Sequence, residues 1–581
     1  MGAASVEPWG GPDQGYHLTP DLVDDAIHWV HQHEAVAADK PFFLYFATGA
    51  THAPHHVPKE WIDKYKGQFD QGWDKLREET FARQKKLGVI PANAELTPRP
   101  AGLPAWDSLS ANQKKLYAHQ MEVYAAYLSH TDHEVGRLLQ DIKDDGLTDN
   151  TLVLYIVGDN GGSAEGGLEG SDANFASLAG GPQETIADQL EHYNDLGSPL
   201  YDNHYAAGWS WATTAPFQWM KQIASHFGGT RDGFVVSWPG HVTHPEIVRG
   251  QFSHVNDIAP TIYDAAHVQF PDFVNGVKQL PLEGKSLVPT FTDPAAPSQH
   301  REQYFEIFGN RAIYQDGWVA AARRYAPWEL FTNPAVIYRG GFDKDTWELY
   351  HVSEDFSEAH DLAAKYPDKL KALQAEFDKE ARRNDVYPLV PTPFVGAPTV
   401  VPRGQTHFVY LSGVERLPLA TVPNVSGRSH RITAEIEVPP SGVQGVIVAE
   451  GGRYGGFSLY VKDGKLVYED NILGLGHEQI VSSSPLPSGR ITVSTVFTAD
   501  PVVNGKHDIL GGSGASPGTA QLFVGDQKVA EGRFSRFGAF TSSITETFDL
   551  GKDSGSPVSA AYEAPFAFTG KVDKVTLDLL Q

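Results

Sequence analysis

The sequence predicts an α/β protein followed by an all-β sandwich, and three observations carry that prediction. Over residues 1–300, helical patterns alternate with short continuous apolar runs, FFLYFA, TLVLYIV and FVVSWP, which read as buried strands of a mostly parallel sheet. Residues 386–404, VYPLVPTPFVGAPTVVPRG, are proline-rich without periodicity and read as a linker. Beyond 405 the pattern changes to short alternating runs split by Gly, Asp and Asn, the signature of a jelly-roll-like sandwich.

In chain order, Thr19-Pro20 reads as a helix N-cap and first helical residue, and Val23, Ile27 and Val30 follow at helical spacing. FFLYFA, after Lys40-Pro41, is the first strand and ends at THAPHHVP. Tyr124, Leu128, Thr131, Val135, Leu138 and Ile142 form one stripe of a long helix closed by Gly146. TLVLYIV, 151–157, is the next strand. A helix around Phe217 to Ser225 leads to the third, FVVSWP. In the sandwich region the runs are RITAEIEV, GVIVAEG, FSLYVKDGKLVYED, RITVSTVF, AQLFVGDQKVAEG and VDKVTLDLL. The DG of YVKDGKLVY predicts a tight hairpin.

At 581 residues the chain exceeds one ordinary domain, and 41% hydrophobic and 11% aromatic residues supply large cores. Lys and Arg number 46 against 72 Asp and Glu, a net charge of -26. That balance argues against nucleic acid as a partner, because phosphate binding rests on clustered cations. A small anionic ligand remains compatible with a locally cationic pocket. The absence of cysteine excludes disulfides, thiolate metal sites and a cysteine nucleophile. Residues 1–16 lack the basic start and apolar core of a secretory signal, and no apolar run approaches membrane-spanning length.

Two polar clusters fall just past the carboxyl ends of predicted strands, where open α/β sheets bind ligands. In VLYIVGDNGG, Asp159 and Asn160 offer a carboxylate and an amide oxygen, hard ligands that suit Ca²⁺ or Mg²⁺ rather than zinc. The same residues are also ordinary turn chemistry. In THAPHHVP, His52, His55 and His56 offer a proton donor or an anion contact, or form a His-rich surface loop. Lys221, among Trp219, Met220 and Ile223, is a buried cation for an anionic substrate or a snorkelling surface residue. Glu165 and Glu169 read as solvated charges, His254 as a helix cap or packing residue, and Tyr454, Tyr460 and Tyr468 as stacking or core residues.

Several separated stretches, in order, carry a resemblance to a known family. They are PFFLYFATGATHAPHHVPKEWIDKYKGQFDQGWDKLREE, MEVYAAYLSHTDHEVGRLLQDIKDDGLTDNTLVLYIVGDNGG, APFQWMKQIASHFGGTRDGFVVSWPG, FSHVNDIAPTIYDAA and WELYHVSEDFSEAHDLA. Over residues 16–385 the chain resembles the type I sulfatases of the large bacterial arylsulfatase kind. The resemblance implies an alkaline-phosphatase-like mixed sheet sandwiched by helices, and hydrolysis of small-molecule sulfate esters, with no membrane or nucleic acid partner. It implies a catalytic part over 1–300, a small carboxyl-terminal part over 301–385 and, after the linker, a concanavalin- or laminin-G-like sandwich over 405–581. It matches Asp159 and Asn160 to a pair of Ca²⁺ ligands, His52 (with His55 as the alternative) to the histidine that contacts the sulfate, and Lys221 to the sulfate-binding lysine.

The family's nucleophile is a formylglycine hydrate made within a C/S-x-P-S-R motif, and this sequence contains no such motif. The first calcium-binding Asp pair and the Lys and His that follow the nucleophile have no match either. These belong to the family's amino-terminal part, and the chain joins the pattern only at Gly15 to Thr19. The expectation is a start inside the family's sequence, an amino-terminal segment missing in cis or in trans, weak or no calcium binding, and no activity from this chain alone. The alternatives are a pseudoenzyme whose sandwich binds glycans or a partner, or one half of a split enzyme.

Overall fold

The computed structural model describes residues 10–11, 14–178, 184–329, 340–391, 401–402, 404–474, 476–501, 516–537 and 546–580. Most of the expected linker, 392–400 and 403, lies outside them. The chain divides into two compact units. One holds residues 1–174, 184–332 and 338–389, and the other holds 175–183, 333–337 and 390–581.

In the first unit, helix α1 (Leu18–Ala37) starts behind His17, whose Nδ1 accepts the Thr19 N–H at 3.3 Å. His17 therefore replaces Thr19 as the cap, and Thr19 is buried in the first turn. Helix α2 spans Gly72–Leu87, and α3 spans Ala111–Asp144 behind a capping box of Ser110 and Gln113. Val23 and Ala26 of α1 pack on Leu138 and Ile142 of α3. Trp73, Trp106, Tyr117 and Trp209 form the main core, with Trp209 on the short helix α4 (Ala207–Thr213).

The expected parallel sheet is not what the described residues show. Strand β1 (Val153–Val157) pairs antiparallel with β2 (Gly233–Ser237), with Val157 opposite Gly233. The chain between them runs through loops and short helices and returns at the end where it left, so the second strand runs back along the first. FFLYFA, expected to be a strand, forms no strand and has no ladder partner among the described residues. Leu44 and Phe46 lean on the α1–α3 contact, whereas Phe43 is 67% and Tyr45 82% exposed. An apolar run is buried on both sides only when both sides are covered, and here helices cover one. The helix expected at Phe217 to Ser225 is an irregular loop with positive φ at Trp219 (63°) and Gln222 (73°).

A four-stranded antiparallel sheet follows, in the order β3 (Glu302–Ile307), β4 (Asn310–Gln315), β5 (Trp318–Ala322) and β6 (Glu348–His351). Helix α5 (Pro367–Arg383) covers one face through Leu373, Phe377 and Ala381. The other face packs against Phe217 and Phe227, which anchors both ends of the Lys221 loop. Glu358 adds a polar tie, accepting the Phe227 N–H at 2.8 Å while completely buried. Burial pushes its carboxyl up to about 7. Below the unfolded value near 4.5 both states are protonated and the group is neutral in effect. As pH rises towards 7 the unfolded state ionises first, and the fold loses stability. Glu358→Gln is therefore expected to gain up to about 3 kcal/mol over wild type by pH 8 and nothing at pH 4. Urea unfolding at both pH values checks this.

The second unit holds two six-stranded antiparallel sheets. One runs Leu417–Pro418, Thr547–Leu550, Gly445–Gly452, Gly455–Lys462, Lys465–Ile472, Gly476–Val481. The other runs Gln527–Phe537, Ser516–Val524, Gly489–Ala499, His430–Val438, Lys571–Leu579, His407–Leu411. Ile432, Phe497 and Leu522 from one sheet meet Leu459, Tyr468 and Phe548 from the other in a shared core. The hairpin read from DG is present, with Lys462 opposite Lys465 and positive φ at Asp463 (51°) and Gly464 (75°). Tyr460 and Tyr468 are buried core residues rather than exposed stacking faces. Among the described residues no helix is long and apolar enough to cross a membrane.

Candidate functional site

The loop after β1 carries Asp159 and Asn160 and is stitched to the loop that carries Lys221. The Lys221 N–H donates to the Gly162 carbonyl at 3.0 Å, and the Gly161 N–H donates to that of Gly229 at 3.2 Å. A side chain at 161 would sit 1.8 Å from the Gly228 carbonyl oxygen, so only glycine permits this approach. Ser210 on α4 donates to the Gly162 carbonyl at 2.6 Å and ties the loop to the core. His254 caps its short helix by accepting the Asn256 N–H.

Asp159 is exposed and Asn160 half-buried. The Asn160 amide nitrogen donates to the Gly161 carbonyl at 3.0 Å, which commits the nitrogen and leaves Oδ1 as its ligand atom. The antiparallel ladder adds a residue that the sequence analysis did not single out. The residue before Gly233 falls opposite Gly158, and Asp232 Oδ1 lies 3.5 Å from where a Gly158 Cβ would be. Burial and then the Asp159 charge push the Asp232 carboxyl up to about 7. Two carboxylates and an amide oxygen are donors that suit a hard divalent ion. Three side chains still fall short of the six to eight oxygens that Ca²⁺ takes. Two other groups, His31–Asp141–Asp145 and Glu302–Glu376–Glu380, lie close enough to share an ion, and neither includes Asp159.

Lys221 and His52, 169 positions apart, meet directly: the Lys221 ammonium lies 3.1 Å from His52 Nε2. His52 Nδ1 lies 2.8 Å from the Ala53 carbonyl, so it carries the ring proton and Nε2 accepts from Lys221. Lys221 also donates to Glu165 Oε2 at 2.8 Å, and Gln222 donates to Glu165 Oε1 at 2.7 Å. Burial raises the Glu165 carboxyl most, but the combined pull of Lys221, His204 and Gln222 holds it below the usual carboxylate range. The solvated-charge reading of Glu165 and Glu169 is thus corrected. The Glu165 side chain is 15% exposed, and Glu169 accepts from Tyr117 Oη. Sequence separates Glu165 from Lys221 by 56 positions, and its only hint was its place on the Asp159 loop.

His55 is placed elsewhere. It is fully buried among the rings of Tyr124, Tyr127, His204 and Tyr205, and burial drives its imidazole well below the ordinary value. Of the two candidates for the sulfate contact, His52 and His55, His52 is the one that reaches Lys221.

The Asp159 loop, with its oxygen donors, is thus hydrogen-bonded to the loop whose Lys221 meets His52. The sulfatase family model matches residues 3–268. The chain is 33% identical over 339 residues to an uncharacterized sulfatase of Schizosaccharomyces pombe, covering 57% of this chain and 56% of that one. It is 28% identical over 277 residues to an arylsulfatase of Klebsiella aerogenes, covering 48% and 56%. Among solved structures, that of Ps i-CgsB superposes with a TM-score of 0.38 at 18% identity, over 64% of this chain and 57% of that one. Residues 3–268 thus match the sulfatase family model, and the chain spans about half the length of the curated relatives it matches.

Proposed function

We propose that this chain supplies the metal-carboxylate and sulfate-cation half of an arylsulfatase-type centre. The observation that carries the reading is the contact of Lys221 with His52, which sets an ammonium donor and an imidazole side by side in a strongly acidic protein. Lys221 binds the anionic ester oxygens, and its charge opposes the negative charge that grows on the leaving oxygen. His52 contacts the sulfate and stands where a proton is exchanged with the leaving group. Asp159 and Asn160, with Asp232 near Asp159, would hold Ca²⁺, which would supply positive charge to polarise a bound sulfate ester. The nucleophile and the remaining metal ligands come from a further part of the domain, in cis or in trans. Phe43, Tyr45, Ile156, Val157 and Val235 expose apolar side chains on FFLYFA, β1 and β2.

Calorimetric titration with sodium sulfate at low salt tests the cationic half. Wild type is expected to bind, and Lys221→Ala to lose at least about tenfold in affinity, since a charged hydrogen bond contributes roughly 1.5–3 kcal/mol. Equal binding by both would defeat the assignment. For the metal, Ca²⁺ titration of the chain alone is expected to give a dissociation constant of about 10⁻⁴–10⁻³ M or weaker, because most of the coordination sphere is missing. Asp159→Ala should abolish it. Tight binding that survives Asp159→Ala would place the metal elsewhere.

A further inference from the structure

We propose that Glu165 is the positioning residue of the cationic site: its carboxylate holds the Lys221 ammonium against His52 Nε2. For its functional consequence this rests on the reading of Lys221 and His52 as sulfate-facing groups; for its structural content it does not.

The geometry carries the argument. An ammonium has three donors. One goes to Glu165 Oε2 at 2.8 Å and one to His52 Nε2 at 3.1 Å, which leaves one for a ligand oxygen. Lysine is a point charge on a flexible four-carbon stem, so the backbone alone does not fix where that third donor points. His52 cannot hold it either, because its side chain is 64% exposed. Glu165 can, because it is itself held. Gln222 donates to its Oε1 at 2.7 Å and Ser163 Oγ lies 3.0 Å from its Oε2. Ser163 is in turn fixed: His204 Nε2 lies 3.0 Å from its Oγ, and its N–H donates to Tyr205 Oη at 3.1 Å. His204 and Tyr205 are both buried. The pair is therefore unlike an exposed ion pair that contributes nothing measurable: both side chains are about 15% exposed and one stands on a rigid bed.

Glu165 also acts in the opposite sense, since a carboxylate beside the ammonium repels an incoming anion. The carboxylate is already committed to three donors, from Lys221, Gln222 and Ser163, so order outweighs repulsion. Loss of the carboxylate should therefore weaken anion binding rather than strengthen it.

Nitrogen-15 NMR of the histidine-labelled full chain tests this at about pH 8, where a free imidazole is neutral. The His52 signals are assigned by their absence in His52→Gln. In wild type the Nε2 resonance should carry the displacement of an accepted hydrogen bond. Glu165→Gln and Lys221→Met should both remove it, and Glu165→Asp should restore part of it. Sodium sulfate affinity should fall about tenfold in Glu165→Gln. A merely structural glutamate would change the melting temperature and leave the Nε2 signal in place, and that result would overturn the proposal. Sulfate binding equal to or tighter than wild type in Glu165→Gln would overturn it as well. If wild type binds no sulfate while the Nε2 signal responds to both substitutions, the positioning role stands and the sulfate reading falls. Should Glu165→Gln not fold, Lys221→Met and Glu165→Asp carry the same test.

Discussion

Purified alone, the 581-residue chain is expected to hydrolyse an aryl sulfate at no more than a trace of a normal enzyme rate. It contains no cysteine and no C/S-x-P-S-R motif, so it cannot make the family's nucleophile. In a well-characterised serine hydrolase, removing the nucleophile lowers kcat by about 10⁶, or roughly 8 kcal/mol of barrier. In the proposed reading the Lys221–His52 pair and the Asp159 cluster would stabilise charge without bonding to sulfur, and so would recover only a small part of that. The measurement is release of a coloured phenol, with and without an added polypeptide carrying the motif. Turnover by the chain alone at an ordinary rate would show that another group here attacks the ester. Turnover only with the added segment would support complementation.

Trp209→Ala is expected to destabilise the first unit by about 4 kcal/mol or more. The indole is wholly buried, with ring centroids 5.4–5.7 Å from those of Phe69, Trp73 and Trp106. Its Nε1–H donates to the Tyr117 carbonyl at 2.8 Å. Truncation leaves a cavity worth about 3–5 kcal/mol and removes the second hydrogen bond to a helical carbonyl. The effect should reach the site, because Trp209 lies next to Ser210, which holds the Gly162 carbonyl. Denaturant unfolding of wild type and variant measures the loss. A change below about 1 kcal/mol would mean that this aromatic cluster repacks freely.

The long helix α3, the DG hairpin and the change from helical to alternating pattern near residue 405 were legible because each is set by local spacing. So was the proximity of Asp159 and Asn160, which are chain neighbours. The depth of FFLYFA was not, because a run of apolar side chains says nothing about which faces are covered. Nor was the loop at 217–225, where apolar residues suggest a helix. There Phe217 and Phe227 are captured by the sheet of β4, β5 and β6, and the backbone between them turns through positive φ at Trp219 and Gln222.

The sequence by itself determined the kinds of chemistry available: hard oxygens at 159 and 160, a lysine at 221, histidines at 52 and 55, and no thiol. Only the tertiary structure decided which of them meet. It buried His55 among aromatic rings and brought His52 to Lys221. It set Asp232 beside Asp159 by running β2 back along β1. It also drew Glu165, a charge in a glycine-rich loop, out of solvent to Lys221. The reason is physical: a residue's identity fixes its donors, acceptors and charge, whereas distance, burial and field come from segments many positions away, which no local pattern encodes.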